Sequence, residues 1–323
     1  MLQSELISAA LHHTIDSFPE RPGQRKFSGK VREVLELPGD RLAIAVTDRI
    51  SVFDFVIGSV PFKGQVLNQL AAWWLRKLDG IGVPHHLLSV PHPNVSIVRR
   101  ATPLPIEIVV RGYLTGSTKT SSWYAYQHHN REISGITMPA GMKKNEAFPA
   151  PIITPSTKPT IGHDVNISRR EILDQGLTTP HFLDAAEDYA LRMFAHGQTL
   201  AAQRGLILVD TKYEMGITAD NELIVIDEVH TPDSSRYWIR ESYDTRMAAG
   251  REPESLDKEF VRRMIVENGY DIASDAHPKD FLTDAIRIEA ARRYLSLFET
   301  ITGEPIEPRL TSVEEIEAVL ANP

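Results

Sequence analysis

Cysteine is absent from the sequence of 323 residues. Its absence excludes disulfide bonds, thiolate metal sites and a cysteine nucleophile, and it is typical of proteins in the reducing cytoplasm, where we expect this chain to act. The sequence also contains no run of about 18 apolar residues, so we predict no membrane-spanning helix and no membrane partner. The N-terminal segment has neither a basic start nor a long apolar stretch, which argues against a secretory signal.

Basic residues are fewer than acidic ones. The 35 lysine and arginine residues are outnumbered by 43 aspartate and glutamate residues, and the formal net charge is −8. Because nucleic-acid binding requires a basic surface, this balance argues against nucleic acid as a partner. It leaves open a local basic pocket for a small anionic substrate. The hydrophobic share of 42% is that of an ordinary globular protein.

Residues 206–238 carry the most informative pattern of the sequence. The apolar runs 206–209 and 223–226 have the length and β-branched content of buried strands. The polar residues 218–222 between them supply turn chemistry. Together these features predict a β-hairpin.

Charged side chains continue the first strand of this hairpin. Asp210, Lys212 and Glu214 occupy every second position, so a strand would place all three on one face. Three charges in a row are costly to bury unless other groups pair with them. The pattern therefore predicts a polar site on this face.

The register of the hairpin decides whether a second acid approaches Glu214. If Gly216 lies opposite Leu223, then Asp227 lies opposite Lys212 and one diagonal step, roughly 7–8 Å, from Glu214. Two carboxylates, with open positions for phosphate and water, are how Mg²⁺ is usually held in ATP-using enzymes. The alternative is a hairpin whose acids form only cross-strand salt bridges.

Two further segments are candidates for binding anions. Gly29-Lys30-Val31-Arg32 leads into a strand predicted over residues 31–37, and its backbone N–H groups and lysine could cover phosphates. A strand predicted over residues 106–110 delivers Arg111 at its end, and a turn of small residues containing Ser117 follows, which suits a phosphate or a carboxylate. For both segments an ordinary loop or turn is the alternative interpretation.

The order of the elements indicates the fold class. Helical spacing predicts helices over residues 67–78, 182–204, 255–268 and 279–302. The prolines of residues 138–159 predict a long connection. His163, which follows it, is expected to be a structural histidine or a substrate contact, because no second histidine lies nearby at metal-ligand spacing. Antiparallel hairpins without a regular βαβ alternation predict an α+β fold.

Several sequence blocks together resemble one family. The segments LPIEIVVRGYLTGS at 104–117 and LVDTKYEMG at 208–216 are similar to the two signature patterns of the phosphoribosylaminoimidazole-succinocarboxamide synthase (SAICAR synthetase) family. The blocks GKVRE, TDRISVFD, TPSTK, GHDVNIS, DEVHTPDSSRYW and SLDKEFVR resemble other recurrent segments of that family, in the same order. The resemblance extends over about residues 29–303. It departs from the family at Met215, a volume-conserving change, and in a longer loop after Ser117.

The resemblance implies a fold, a reaction and roles for particular residues. The family has two α+β lobes with ATP in the cleft between them, distantly similar to kinases and ATP-grasp enzymes, and we expect the lobes to be residues 1–105 and 106–323. It joins L-aspartate to 4-carboxy-5-aminoimidazole ribotide, using ATP and Mg²⁺. The residues implied are Gly29, Lys30, Val31, Arg32 and Lys158 for ATP; Glu214 and Asp227 for Mg²⁺; Lys212 and Asp210 for catalysis; and Arg111, Ser117, Asp233, Arg236, His163, Asp164, Asn166, Lys258 and Arg262 for the substrates.

Two other functions remain open from the sequence. A small-molecule kinase of related architecture is the alternative enzyme, because it too would combine a glycine-containing hairpin with paired acids. A nucleotide-binding regulator without chemistry is the alternative of a different class. The sequence decides neither the oligomeric state, monomer or homo-oligomer, nor the order of substrate binding.

Overall fold

The computed structural model describes residues 3–18, 25–53, 55–158, 164–256, 259–271 and 276–321. The strands in these ranges are β1 Lys26–Ser28, β2 Arg32–Leu37, β3 Arg41–Val46, β4 Arg49–Val52, β5 Phe55–Ser59, β6 Leu87–His92, β7 Val95–Arg99, β8 Thr102–Pro103, β9 Ile106–Tyr113, β10 Glu132–Ile133, β11 Ile136–Thr137, β12 Ala147–Ile153, β13 Ser156–Thr157, β14 Leu206–Ile217, β15 Leu223–Ile226 and β16 Ser235–Ile239. The α-helices are α1 Gln3–Ala9, α2 Lys63–Leu78, α3 Ser122–His128, α4 Arg169–Asp174, α5 Pro180–Gln203, α6 Arg240–Ala248, α7 Glu259–Glu267, α8 Asp284–Thr302 and α9 Val313–Ala321. Short 3₁₀ turns cover Ala10–His12, Asp79–Ile81 and Pro278–Phe281.

The N-terminal strands form an antiparallel sheet in the order β1-β2-β3-β7-β6. The strand predicted over residues 31–37 is confirmed as β2, which forms a hairpin with β3 from Arg32 opposite Val46 to Leu37 opposite Arg41. The turn between them needs left-handed backbone, with φ of 74° at Gly39 and 52° at Asp40. Helix α2 packs against β3, β6 and β7, and α8 packs against α2.

The second sheet is built around β14. Strand β14 pairs on one side with β9 and β8, and on the other side first with β16 and then with β15. The predicted hairpin of residues 206–226 is therefore confirmed as β14 and β15. On its second side β14 changes partner between Thr211 and Glu214, and the loop that joins β15 to β16 begins beside this gap.

Helix α5 covers the second sheet and confirms the helix predicted over residues 182–204. The Thr179 side chain accepts the N–H of Phe182 and caps its start, and Gly205, with φ of 71°, follows its end. Its buried stripe packs on β14 and β9 because apolar residues recur at helical spacing. The stripe consists of Phe182, Leu183, Ala186, Ala190, Met193, Phe194, Gly197 and Ala201.

Three expectations about secondary structure were wrong in detail. The proline-rich residues 138–159 contain β12, an edge strand paired with β9, where proline is tolerated because one side of the strand needs no partner. The helix predicted over 255–268 is described only from Glu259, and Ser255 instead bridges to Trp238. The helix predicted from residue 279 begins at Asp284, where the Thr283 side chain caps it.

One apolar core joins the two sheets, since it contains side chains of both, such as Val46 of β3 and Tyr213 of β14. The mixture of antiparallel sheets and helices confirms the predicted α+β class. The boundary between residues 105 and 106 stays a prediction. No helix among the described residues is long and apolar enough to cross a membrane.

Candidate functional site

Strand β14 places the predicted charges on one face. Lys212 Nζ lies 2.9 Å from a carboxylate oxygen of Glu214, two residues along the strand, and a salt bridge joins Asp210 to Arg236. The sequence prediction for this strand face is therefore confirmed. The side chains of Asp210 and Glu214 are mostly buried, and the cations beside them supply the partners that buried carboxylates require.

The predicted register of the hairpin was wrong by one residue. Gly216 lies opposite Ile224 and Ile217 opposite Leu223. The paired segment ends with Ile226 opposite Glu214, and Asp227 has a left-handed backbone with φ of 64°. Asp227 therefore leaves the strand at this point instead of lying opposite Lys212.

Asp227 and Glu214 nevertheless interact electrostatically. Burial raises the pKa of Asp227, Arg32 opposes this shift, and repulsion from Glu214 and then from Glu228 adds to it. For Glu214, burial disfavours the charge, but Lys212 and Lys158 outweigh it and lower the pKa to about 2. A negatively charged Glu214 thus faces a second carboxyl group whose ionisation it opposes.

We call Glu214 and Asp227 the acid pair. Arg32 connects Asp227 of this pair to the N-terminal sheet. Its guanidinium donates to both carboxylate oxygens of Asp227, at 2.7 and 2.9 Å, and forms a salt bridge with Glu228 at 2.5 Å. Burial opposes its charge, yet the attraction of Asp227 and Glu228 raises the pKa of Arg32 above its ordinary value. The ion pairs connect the two sheets, because Arg32 begins β2 of one sheet and Asp227 directly follows β15 of the other.

The segment before β2 is fixed mainly through its backbone. Gly29 N–H donates to the carbonyl of Arg32 at 2.8 Å, and Arg49 donates to the carbonyls of Gly29 and Lys30. The Val31 side chain is buried and the Lys30 side chain is exposed. Within this predicted phosphate loop, the guanidinium of Arg32 contacts Asp227 of the acid pair.

A polar pocket lies beside Lys212 and Asp210. It holds about 640 Å³ of empty space, a volume that includes the part open to solvent. Charged and hydroxyl groups from both sides of β14 form its walls. The lining residues are Glu107, Val109, Arg111, Thr118, Thr120, Ser121, Ser156, Asp164, Asn166, Asp210, Thr211, Lys212, Ser234 and Arg236.

Arg111 is held rigidly in this pocket. It lies within β9, which continues to Tyr113, and not at a strand end as predicted. Its Nε donates to Thr154 Oγ1 at 2.7 Å, and Nη2 donates to the Thr120 carbonyl at 2.9 Å. Burial lowers the pKa of Arg111 to about 10, Asp210 opposes the shift and Arg236 adds to it. An anion placed between Arg111 and Arg236 would relieve that repulsion.

The structure separates some predicted substrate residues from this pocket. Ser117 is exposed, and neither it nor Arg262 of α7 is among the described residues that line the pocket, although Thr118, Thr120 and Ser121 of the same turn are. Asp233 also lies outside the lining and pairs with Lys63 at 2.9 Å. His163 and Lys258 lie outside the described residues, whereas Asp164, Asn166 and Arg236 line the pocket, and their contact with substrate stays a prediction.

Sequence reasoning missed several ionic residues of the site. Glu107 of β9 accepts a hydrogen bond from Lys212 at 2.6 Å, Glu228 pairs with Arg32, and Lys63 pairs with Asp233. Glu107 left a signal in the sequence, because it is the single charge inside the apolar strand IEIVV. Its partner, 105 positions away, could not be inferred from that signal.

The acid pair suits a magnesium ion in its chemistry. Carboxylate oxygens are ligands that Mg²⁺ prefers, and the ion commonly takes only one or two of them and completes its shell with substrate phosphates and water. The mutual repulsion of Glu214 and Asp227 is a further fit, since a divalent cation would relieve it. No cluster of three or more acidic or histidine side chains suited to a metal occurs among the described residues.

Comparison with known proteins identifies the family. The model of the SAICAR synthetase family matches residues 25–277. The phosphoribosylaminoimidazole-succinocarboxamide synthase of Legionella pneumophila (strain Lens) is 47% identical over 286 residues, which cover 88% of this chain and 89% of the relative. The chloroplastic enzyme of that name from Arabidopsis thaliana is 45% identical over 290 residues, covering 88% of this chain and 69% of the relative.

Solved structures agree with these relatives. SAICAR synthase from Saccharomyces cerevisiae, solved in complex with SAICAR, superposes with a TM-score of 0.77 at 29% identity, over 91% of this chain and 99% of the yeast chain. A SAICAR synthetase solved in complex with ADP shares the fold, with a TM-score of 0.67 at 22% identity, over 88% of this chain and 100% of the other. The chain therefore belongs to the SAICAR synthetase family, which confirms the family to which the sequence blocks pointed.

Proposed function

We propose that this chain is the ATP-dependent ligase of its family, acting in purine biosynthesis through the site around β14. It forms an amide between the amine of L-aspartate and the carboxylate of 4-carboxy-5-aminoimidazole ribotide, and it releases ADP and phosphate. The names of relatives that are 45–47% identical over most of the chain support this activity. The SAICAR bound to the yeast structure supports the nature of the product.

The reaction requires an activated carboxylate, because the oxygen of a free carboxylate is a poor leaving group. A carboxylate oxygen of the ribotide attacks the γ-phosphorus of ATP, the bond to ADP breaks, and an acyl phosphate forms. The aspartate ammonium gives up one proton to solvent, its nitrogen then attacks the acyl carbon, phosphate leaves, and the nitrogen loses a second proton. As in other phosphoryl transfers, the protein contributes mainly by positioning the reactants and neutralising their charge.

The acid pair and its cations form the ATP end of the site in this proposal. Glu214 and Asp227 would hold Mg²⁺, which supplies neutralisation of the triphosphate charge when bound. Lys158 and Arg32 pair with these acids and so lie where the phosphates would bind. The backbone and side chains of residues 29–31 are proposed to cover the phosphates on the side of the N-terminal sheet.

The polar pocket forms the ribotide end. Arg111 and Arg236 are proposed to bind the anionic groups of the ribotide, because both line the pocket and their charges repel each other. Lys212 lies between this pocket and Glu214, so it is placed to stabilise charge that builds up during transfer. Asp210 orients Arg236 through their salt bridge. Ser117 and Asp233 remain proposed substrate residues without a described contact to the pocket.

One observation carries the proposal most strongly. A single strand face presents Asp210, Lys212 and Glu214 in succession, so that the acid pair for MgATP and the basic pocket for an anionic substrate adjoin each other. A regulator that only binds nucleotide has no use for the second pocket. The juxtaposition brings a bound carboxylate toward the γ-phosphate, which both a ligase and a kinase require.

An ADP-release assay with substrates omitted in turn tests the function. We expect sustained ADP release only when ribotide and L-aspartate are both present with MgATP. ADP release with a stable phosphorylated product in the absence of aspartate would instead favour a small-molecule kinase. Tight ATP binding without ADP release under any combination would favour a regulator. Cytoplasmic location and the absence of nucleic-acid partners remain predictions.

A further inference from the structure

The polar pocket is divided in charge along strand β9. Arg111 lies at one end, and Glu107 lies four positions earlier on the same strand face, about 13 Å away. The backbone of Lys212 is paired with Val109 between them, and its ammonium group lies 2.6 Å from Glu107. At the Arg111 end, Arg111 and Arg236 share one acidic partner, Asp210, which leaves an excess of positive charge. At the Glu107 end, Asp164 adds negative charge to that of Glu107, and Lys212 is the cation beside them. A substrate that is anionic on one side and cationic on the other matches this division.

Glu107 has capacity to accept further hydrogen bonds. It is only 3% exposed, and one carboxylate oxygen accepts from Lys212 Nζ at 2.6 Å. Among the described residues, the other oxygen receives a single long contact of 3.4 Å, from Ser156 Oγ, whereas a carboxylate offers about four acceptor positions. Burial raises the pKa of Glu107, Lys212 opposes the shift, and Glu214 and Asp164 add to it. An additional cation beside Glu107 would stabilise its charge.

Asn166 provides an independent acceptor in the same place. Its Oδ1 atom is buried and has no hydrogen-bond partner among the residues that the structure describes. Asn166 forms a β-bridge with Ser156, which is itself paired with Glu107 in the sheet. A buried amide oxygen without a donor is unfavourable, and a ligand N–H would satisfy it.

We propose that Glu107 and the Oδ1 atom of Asn166 bind the ammonium group of the amino-acid co-substrate. The inference rests on the proposed function, which brings an amino acid and an anionic ribotide into one pocket. Among the groups of these two reactants and ATP, the amino acid's ammonium is the cation that matches the acidic end. Glu107 thereby acts as a specificity-determining residue: it selects a co-substrate with an amine and directs that amine toward Lys212, where the activated carboxylate forms.

Succinate provides the critical comparison, because it is aspartate with the ammonium group replaced by hydrogen. In Glu107→Gln we expect the KM for L-aspartate to rise on the order of 10- to 100-fold, as for loss of hydrogen bonds to a charged group. The inhibition constant of succinate and the KM for ribotide should change by no more than about twofold. Glu107→Asp should restore part of the aspartate affinity. Asn166→Ala should also weaken aspartate binding selectively, by a smaller factor.

The opposite pattern would assign Glu107 a different role. If it serves only as the counter-ion of Lys212, the Glu107→Gln substitution will weaken ribotide, succinate and aspartate together, and the inference is overturned. Unchanged aspartate kinetics would overturn it as well. Melting temperatures establish that each variant is folded, and if Glu107→Gln is not, Glu107→Asp and Asn166→Ala carry the comparison. Turnover by the unmodified chain in the same assay tests the proposed function separately, since only the variants report on the ammonium site.

Discussion

At the scale of single residues, the buried charges of the site are compensated by partners both near and far along the chain. Asp210, Lys212 and Glu214 were identified by their alternation, a property of neighbouring positions. The pairing of Arg32 with Asp227 joins residues 195 positions apart, and no local pattern encodes such a contact. Buried ions of this kind become recognisable only when the fold brings the second charge alongside.

Asp48 gives a residue-scale prediction about pH. Burial raises its pKa to about 6, although the N–H groups of Ile15 and Gly64 donate to its carboxylate at 2.8 Å each. Between pH 4 and 6 the folded chain therefore holds a proton that the unfolded chain has lost, and the stabilisation from this proton disappears as pH rises through 6. We expect the unfolding free energy of wild type, relative to Asp48→Asn, to be about 1.4 kcal/mol higher at pH 5 than at pH 7.5.

Urea denaturation of both proteins at the two pH values measures this difference. The quantity compared is the change, between the two pH values, in the difference in unfolding free energy between wild type and variant. Asp48→Asn also weakens the hydrogen bonds from Ile15 or Gly64, but that cost is the same at both pH values and cancels. A difference that stays the same, or that grows toward pH 7.5, would contradict the direction of the pKa shift.

At the scale of elements, strands with apolar alternation and helices with apolar stripes were predictable, but edges and registers were not. Strand β12 was missed because its prolines read as a connection, and only its place at a sheet edge makes them compatible with a strand. The register of β14 and β15 was displaced by one residue because the turn admits more than one pairing. A one-residue shift would normally turn the Asp227 side chain to the opposite face of the sheet. It does not do so here, because Asp227 has a left-handed backbone and leaves the strand.

A buried ion pair connects elements on both sides of the site. Lys63 at the start of α2 is fully buried and lies 2.9 Å from Asp233 in the loop between β15 and β16, and Tyr294 of α8 donates to the same carboxylate. Removing one partner leaves the other charge buried without compensation. We expect Lys63→Met to lower the unfolding free energy by about 3–5 kcal/mol, measured by urea denaturation.

Lys77 on the same helix is the matched control. It is exposed, and its ammonium group lies 4.8 Å from the centre of the Trp73 ring. Lys77→Met should cost no more than about 1 kcal/mol, the usual value of an exposed cation–π contact. Equal effects of the two substitutions would mean that the Lys63 pair contributes no more than a surface charge.

At the scale of the whole molecule, the two large antiparallel sheets share one apolar core, and ion pairs join the start of β2 to the segment that follows β15. Arg32 begins β2 of the first sheet and pairs with Asp227 and Glu228, which follow β15 of the second, so both halves of the chain contribute to the proposed ATP end. The α+β class and the family could be recognised from the sequence, because ordered sequence blocks identify a whole family. The polarity of the pocket could not, since it depends on β9, β14 and the loop at residues 164–166 lying together.

The kcat of Glu214→Gln tests most directly the claim that Glu214 and Asp227 hold the metal that carries ATP. The substitution keeps the shape of the side chain and removes its charge, so we expect kcat with MgATP, ribotide and aspartate to fall on the order of 100-fold or more, with little change in melting temperature. Glu222→Gln, an exposed acid in the turn of the same hairpin, should retain normal turnover. A folded Glu214→Gln variant with near-normal kcat would contradict the account.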